Sequence, residues 1–179
     1  MNYAQAFELI TKKFGQAGIR YVLIGGFAVN YYKVLRATAD VDLMLAADDL
    51  DKAARILEDA GYQRKNSTKA FAQFQSRDIR AIDIDLILVD RKTLDGVLEE
   101  AVEAEIAGWT MYLPSLMHLM VLKIHAMKNN PKGRSLRDLA DVIDLLKTHG
   151  INPQEASFRT LCLEYGTEEI YRSITEQSK

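Results

Sequence analysis

The sequence predicts an α+β fold, a mixed sheet flanked by helices and followed by an all-helical segment, and three observations carry that expectation. Short apolar runs bounded by glycine and turn residues recur over 21–24, 38–45 and 80–89, each of strand length. Between them lie segments with apolar residues at helical spacing. After Pro114 every segment reads as helix, which divides the chain into a mixed half over 1–113 and a helical half over 114–179. The 179 residues are enough for one domain with a core and a helical appendage.

Taken in order, residues 3–17 carry Phe7, Leu9, Ile10 and Phe14 at near-helical spacing, with Gly18 placed to cap a helix. Residues 21–24 read as a buried strand. Gly25-Gly26 then turns the chain into a helix over 27–35, with Ala28, Tyr31 and Leu35 on one side. Residues 38–45 form a second strand. Asp48 is expected to N-cap a helix that runs through Ala60 and ends at Gly61. Phe71 and Phe74 suggest a strand, and Ser76-Arg77-Asp78 a turn. The run RAIDIDLILV over 80–89 is the third strong strand; its alternation puts Asp83 and Asp85 on one face and Ile82, Ile84 and Leu86 on the other. Residues 93–104 read as a helix whose Glu99, Glu100 and Glu103 form a solvated face, and 109–113 as a short closing strand. Pro114 suits the first position of a helix over 115–128. Asn129 to Gly133 breaks that helix, and 136–149, 153–165 and 167–177 read as three more.

Composition excludes several classes. A hydrophobic fraction of 48% and a formal net charge of -2 describe an ordinary globular chain with no whole-protein attraction for polyanions. Any such contact has to come from a local cluster, of which Lys128, Lys132 and Arg134 are the best candidate. A single cysteine, Cys162, cannot form an intramolecular disulfide, which points to a reducing, cytoplasmic setting. The first residues lack the build of a signal peptide, and no run approaches the roughly 20 apolar residues that span a bilayer. His118 and His125 have no cysteine near enough to complete a zinc site.

The chemistry concentrates between Val22 and Leu45. Asp40 and Asp42, at i and i+2 on a strand, project from one face, and like charges that close are costly without a cation. Gly25-Gly26 sits between a strand and a helix, where backbone N–H groups can point at an anion. Thirteen residues, 27 through 39, separate Gly26 from Asp40, enough for one short helix and a return to a neighbouring strand. A phosphate-gripping turn would then face a carboxylate pair capable of holding a divalent metal.

The order apolar-Gly-Gly, spacer, Asp-x-Asp and a later acidic strand resembles the polymerase-beta-like nucleotidyltransferase superfamily. The variant GG-FA-VNYY…RATADVDL is most similar to the AbiEii-type group, which includes toxins of type IV toxin–antitoxin systems. The resemblance implies a nucleotidyltransferase-like mixed sheet and two Mg²⁺ ions held by three carboxylates. It implies transfer of a nucleoside monophosphate from an NTP to an acceptor hydroxyl, with pyrophosphate released. Asp40 and Asp42 would bridge the metals, and a third carboxylate would come from the 80–89 strand. Asp85 is expected there because the family's third Asp precedes an apolar run, with Asp83 as the substitute. Gly25 and Gly26 would hold the triphosphate; Gly26 departs from the serine that many superfamily members carry. Arg36 and Thr38, in R-A-T-A-D, would belong to the nucleotide site, although Arg36 also suits a surface ion pair.

In the second half, Lys123, Arg134, Arg137, Asp138 and Asp141 resemble the later AbiEii-type motif. Lys123 would reach the NTP phosphates, with Asp138 orienting it or Arg137, a reading favoured over its alternative, a salt-bridged pair of antiparallel helices. The implied acceptor is tRNA or a small molecule such as an antibiotic, and a cognate antitoxin protein is an implied partner. A nucleotide-binding or regulatory module without turnover is the alternative from a different class.

Overall fold

A computed structural model describes residues 3–78, 81–129 and 135–178. The chain clusters into two compact units, Met1–Ala28 with Ala37–Ser115, and Val29–Arg36 with Leu116–Lys179. Among the described residues no helix is long and apolar enough to cross a membrane.

The first unit is built on a five-stranded mixed sheet. Its strands are β1 (Tyr21–Leu23), β2 (Asp40–Ala46), β3 (Tyr62–Ser67), β4 (Phe71–Ser76) and β5 (Asp83–Val89), in the order β1-β2-β5-β4-β3. Only β2 and β5 run parallel. They are central, so both faces are covered and their sequences read as near-continuous apolar runs. One face carries the core. Phe7 from α1 (Tyr3–Leu9), Ile10 and Phe14 from a following π-helical turn, and Leu57 from α3 (Leu50–Asp59) close over Leu43, Ile84 and Leu86. Each large side chain buried there contributes roughly 1.5–3 kcal/mol. On β1 and β2, Val22 and Met44 are buried outside that cluster, where α4 (Arg91–Glu99) packs with Leu94 and Val97. Asp90 caps α4 by accepting from the Thr93 hydroxyl and the Thr93 N–H, which together hold its carboxyl below the usual range.

In this unit the structure departs from several local expectations. The segment 93–104 is not one helix: α4 ends at Glu99, and Val102–Ile106 is strand β6, paired in its own hairpin with β7 (Trp109–Leu113). Val-Glu-Ala-Glu-Ile alternates with period two, and Ala107-Gly108, at φ +52° and +83°, supplies the tight turn that matches strand twist. Strand β3 was not expected because five of its six residues are exposed, leaving little apolar pattern. The helix after the glycines, α2 (Gly25–Tyr31), starts earlier and stops earlier than 27–35. Lys33 at φ +67° takes the chain out of it, and Leu35 is left 95% exposed rather than on an apolar face. Asp49, not Asp48, precedes α3, and it makes no capping bond. It is buried and pairs with Arg91 at 2.9 Å.

The second unit packs four helices, α5 (Leu116–Asn129), α6 (Ser135–His149), α7 (Ala156–Tyr165) and α8 (Glu168–Gln177). Helix α5 begins at Leu116, so Pro114 lies two residues ahead of it instead of at its first position. Met120, Ile124, Leu145, Phe158, Cys162 and Ile174 fill the interior. A Cβ at Gly166 would strike Ile124, which fixes the close passage of the α7–α8 link over α5.

Candidate functional site

The in-register parallel pairing of β2 with β5 sets Asp40 beside Asp83 and Asp42 beside Asp85. Four acids therefore start on one face of two neighbouring strands. Three of them converge. One carboxylate oxygen from each of Asp40, Asp42 and Asp85 lies within 4.8 Å of the others, and no second such cluster occurs among the described residues. Asp42 and Asp85 are 5% and 2% exposed, and Asp40 is half-buried. Asp83 turns aside: its Oδ1 accepts the backbone N–H of Ser76 at 3.0 Å.

At about 5 Å and an effective dielectric constant near 20, each like-charged pair costs about 3 kcal/mol. Three such pairs at a buried position favour either protonation or a cation. Three hard oxygen donors suit a divalent ion such as Mg²⁺. Thr38 approaches the same group, its Oγ1 lying 3.2 Å from Asp40 Oδ1 and 3.1 Å from the Asp40 carbonyl oxygen. Gly25 adopts φ +64°, and a Cβ there would fall onto the Asp42 carboxylate. A Cβ on Gly26 would meet the Thr38 side chain at 2.7 Å. The glycine pair thus brings backbone against the acids, in addition to any anion-binding capacity of its N–H groups.

The remaining expected residues lie in the helical unit and form a group of their own. Lys123 of α5 is 5% exposed and donates to Asp138 at 3.0 Å and to Asp141 at 2.5 Å. The two acids, three apart on α6, share a face. Arg36 donates to Asp141 at 2.6 Å, so two cations and two carboxylates balance in a buried cluster. The Arg36 backbone is clamped as well: its N–H donates to Asn30 Oδ1 at 2.7 Å and its carbonyl accepts from Asn30 Nδ2 at 2.8 Å. Sequence reasoning overlooked Asn30, and a six-residue separation on the way out of a helix leaves no pattern to find it by. Arg137 and Lys128 are exposed; Lys132 and Arg134 lie outside the described residues. His118 is half-buried and His125 exposed. Cys162 is buried, and burial pushes its thiol up to about 12.

The family described as "uncharacterised nucleotidyltransferase" matches residues 1–178. No curated protein matches. Among solved structures, ANT(2″)-Ia in complex with adenylyl-2″-tobramycin is similar with a TM-score of 0.67 at 13% identity, over 92% of this chain and 97% of that one. The lincosamide antibiotic adenylyltransferase LnuA, lincomycin-bound, gives 0.59 at 15% identity, over 83% and 98%. An antigenic nucleotidyltransferase-like protein from Paracoccidioides brasiliensis gives 0.58 at 16%, over 95% and 90%. At these identities the likeness is one of fold.

Proposed function

The chain belongs to the family of uncharacterised nucleotidyltransferases, and from that premise we propose that it moves a nucleoside monophosphate from an NTP to an acceptor hydroxyl at Asp40, Asp42 and Asp85. The single observation behind this reading is the convergence of those three carboxylates within 4.8 Å. Residues 1–113 act as the catalytic domain and 114–179 as its helical companion.

The bond changes are a single displacement. The acceptor oxygen bonds to the α-phosphorus, the bond from that phosphorus to the bridging oxygen breaks, and pyrophosphate leaves with the electron pair. Asp85 takes the hydroxyl proton on a carboxylate oxygen. Mg²⁺, two ions by the family resemblance, held by Asp40, Asp42 and Asp85, would supply charge neutralisation at the phosphates and a lowered pKa at the acceptor hydroxyl. Thr38 orients Asp40 by donating its hydroxyl proton. The backbone N–H groups of Gly25 and Gly26 serve the triphosphate. Lys123, Arg36, Arg137 and Asp138 contribute less directly: Lys123 and Arg36 already satisfy Asp138 and Asp141, so a phosphate contact from either requires exchange of those partners.

Within the superfamily we place the chain nearest the AbiEii-type group, on R-A-T-A-D and the Lys123 to Asp141 motif. That placement allows a tRNA or a small-molecule acceptor, with a cognate antitoxin as partner and a cytoplasmic setting. The test is incubation with α-labelled NTPs, Mg²⁺ and separate pools of tRNA, proteins and small molecules, with NTP binding followed by calorimetry. Label transferred by the wild type and lost in Asp42→Asn is the expected result. Absence of both transfer and NTP binding would overturn the proposal, and binding without transfer would leave a non-catalytic nucleotide-binding module.

A further inference from the structure

The acids are the buried end of a longer polar row. Asp42 pairs with Asp85, Asp85 with Gln73 of β4, and Gln73 with Asn66 of β3. Directly opposed residues share a face of a sheet, so these four side chains form one line across four strands. The Asn66 Nδ2 donates to Gln73 Oε1 at 3.1 Å, which shows the two side chains meeting. Beside this line, on the same face, Gln63 opposes Gln75. Exposure rises along the row toward the sheet edge at β3, from buried Asp85 through half-buried Gln73 to exposed Asn66. Half-buried Phe71, two residues from Gln73 and opposite Ile87, adds an apolar surface next to it.

The amide at the outer position depends on a bulge. Pairing in β3 shifts between Arg64 and Asn66, with Lys65 as the extra residue. In a regular strand Lys65 would share the face of Gln63; the bulge puts Asn66 there instead. Lys65 is drawn off to Gln63, its Nζ donating to Oε1 at 3.1 Å. The backbone is thus irregular at the place where it exchanges a cation for an amide opposite Gln73.

We infer that Gln73 and Asn66, with Gln63 and Gln75 beyond them, form the acceptor subsite, and that its occupant is a neutral, hydroxyl-rich small molecule such as a sugar or cyclitol. This rests on the proposed nucleotidyl transfer. Carboxamides donate and accept at once, as hydroxyls do, so a row of them matches a run of hydroxyls without charge. A polynucleotide acceptor would require cations along the track; nearest Asp85 the row offers the amides of Gln73 and Asn66, and Lys65 enters only at its outer end, on Gln63. Among the described residues the Gln73 Nε2 group has no partner, which leaves it to donate to an acceptor oxygen one register position from Asp85. One hydroxyl of the occupant then lies at the acids while its neighbours meet Gln73 and Asn66.

The experiment compares wild type with Gln73→Leu and Asn66→Leu, using α-labelled NTPs, Mg²⁺ and three acceptor pools: neutral oligosaccharides and cyclitols, mixed tRNA, and cell protein. NTP affinity is measured in parallel by calorimetry. Label should pass to a member of the neutral pool, with the acceptor KM about tenfold higher in each variant and the NTP dissociation constant unchanged. Asn66 is exposed, so its variant reports on recognition even if Gln73→Leu folds poorly. Label on tRNA or protein alone, label on none of the pools, or an acceptor KM unmoved in both variants overturns the assignment and leaves NTP binding standing. Failure of the wild type to bind any NTP overturns the transfer reading itself, and this subsite with it.

Discussion

Replacing Asp141 with Asn should destabilise the helical unit more than any other single conservative change there. Asp141 accepts from both Lys123 and Arg36, and all three side chains are largely removed from water. The change leaves two cations with one carboxylate, Asp138, in a buried cluster. Each charge-assisted hydrogen bond is worth about 1.5–3 kcal/mol, so two give about 3–6. Breaking a buried ion pair by removing one partner costs about 3–5 kcal/mol in other proteins, which agrees. For a chain of this size 1 kcal/mol moves the melting midpoint by about 2–4 °C, so the expected drop is about 6–20 °C. Thermal unfolding followed by circular dichroism measures it. A compensating double variant separates charge from packing: Lys123→Met with Asp141→Leu leaves Arg36 and Asp138, one charge of each sign, and should recover at least half of the loss. A drop below 2 °C for Asp141→Asn would refute the reasoning. So would a Lys123→Met variant that keeps full stability yet loses NTP affinity, because that lysine would then serve phosphate and not Asp138 and Asp141.

Asp85→Asn should weaken Mn²⁺ binding, followed by paramagnetic resonance, at least tenfold and raise the metal-free melting midpoint by relieving like-charge repulsion. Asp83→Asn should leave Mn²⁺ affinity within about threefold, since its carboxylate is committed to the Ser76 amide. Gly25→Ala forces a Cβ onto the Asp42 carboxylate at positive φ and should cost about 2 kcal/mol or more in urea unfolding, with weaker Mn²⁺ binding. Burial raises the Cys162 thiol to about 12 from an unfolded value near 9.0, so its contribution to stability is full below pH 9 and is lost as pH rises toward 12. Wild type should lose up to about 1.4 kcal/mol per pH unit more than Cys162→Ala across that window, and native Cys162 should resist iodoacetamide at pH 8.

What the sequence made legible follows burial. β1, β2 and β5 are visible because both faces of each are covered, so apolar content alone marks them. β3 has only Tyr62 buried, and β6 hides its alternation under glutamates that equally suit an exposed helix. The pairing of Asp40 with Asp42, and of Asp83 with Asp85, is legible because side chains at i and i+2 must share a strand face, whatever the rest of the chain does. Which of Asp83 and Asp85 joins them is not legible, since it turns on a Ser76 amide from a neighbouring strand. The partners of Lys123 depend on how α5 and α6 pack, and the row through Gln73 depends on register and a bulge. Neither has a local signature.

Two Asp-x-Asp strands in parallel register would set four carboxylates in a square, the strands being about 4.8 Å apart. The fold breaks that symmetry with one neighbour on each side. On the β5 side, β4 ends at Ser76, whose N–H donates to the Asp83 carboxylate; among the described residues no strand pairs with β2 at Asp40 on its other side, and the Thr38 hydroxyl two residues upstream meets it instead. A backbone amide holds Asp83 outside the cluster, whereas the Thr38 hydroxyl meets Asp40 at the cluster itself. β4 therefore makes two contributions: Ser76 reduces the four acids to three, and Gln73, three residues earlier, lies directly opposite the Asp85 that remains. The strand that settles which acids can share a metal also supplies the first side chain an acceptor would meet beside it.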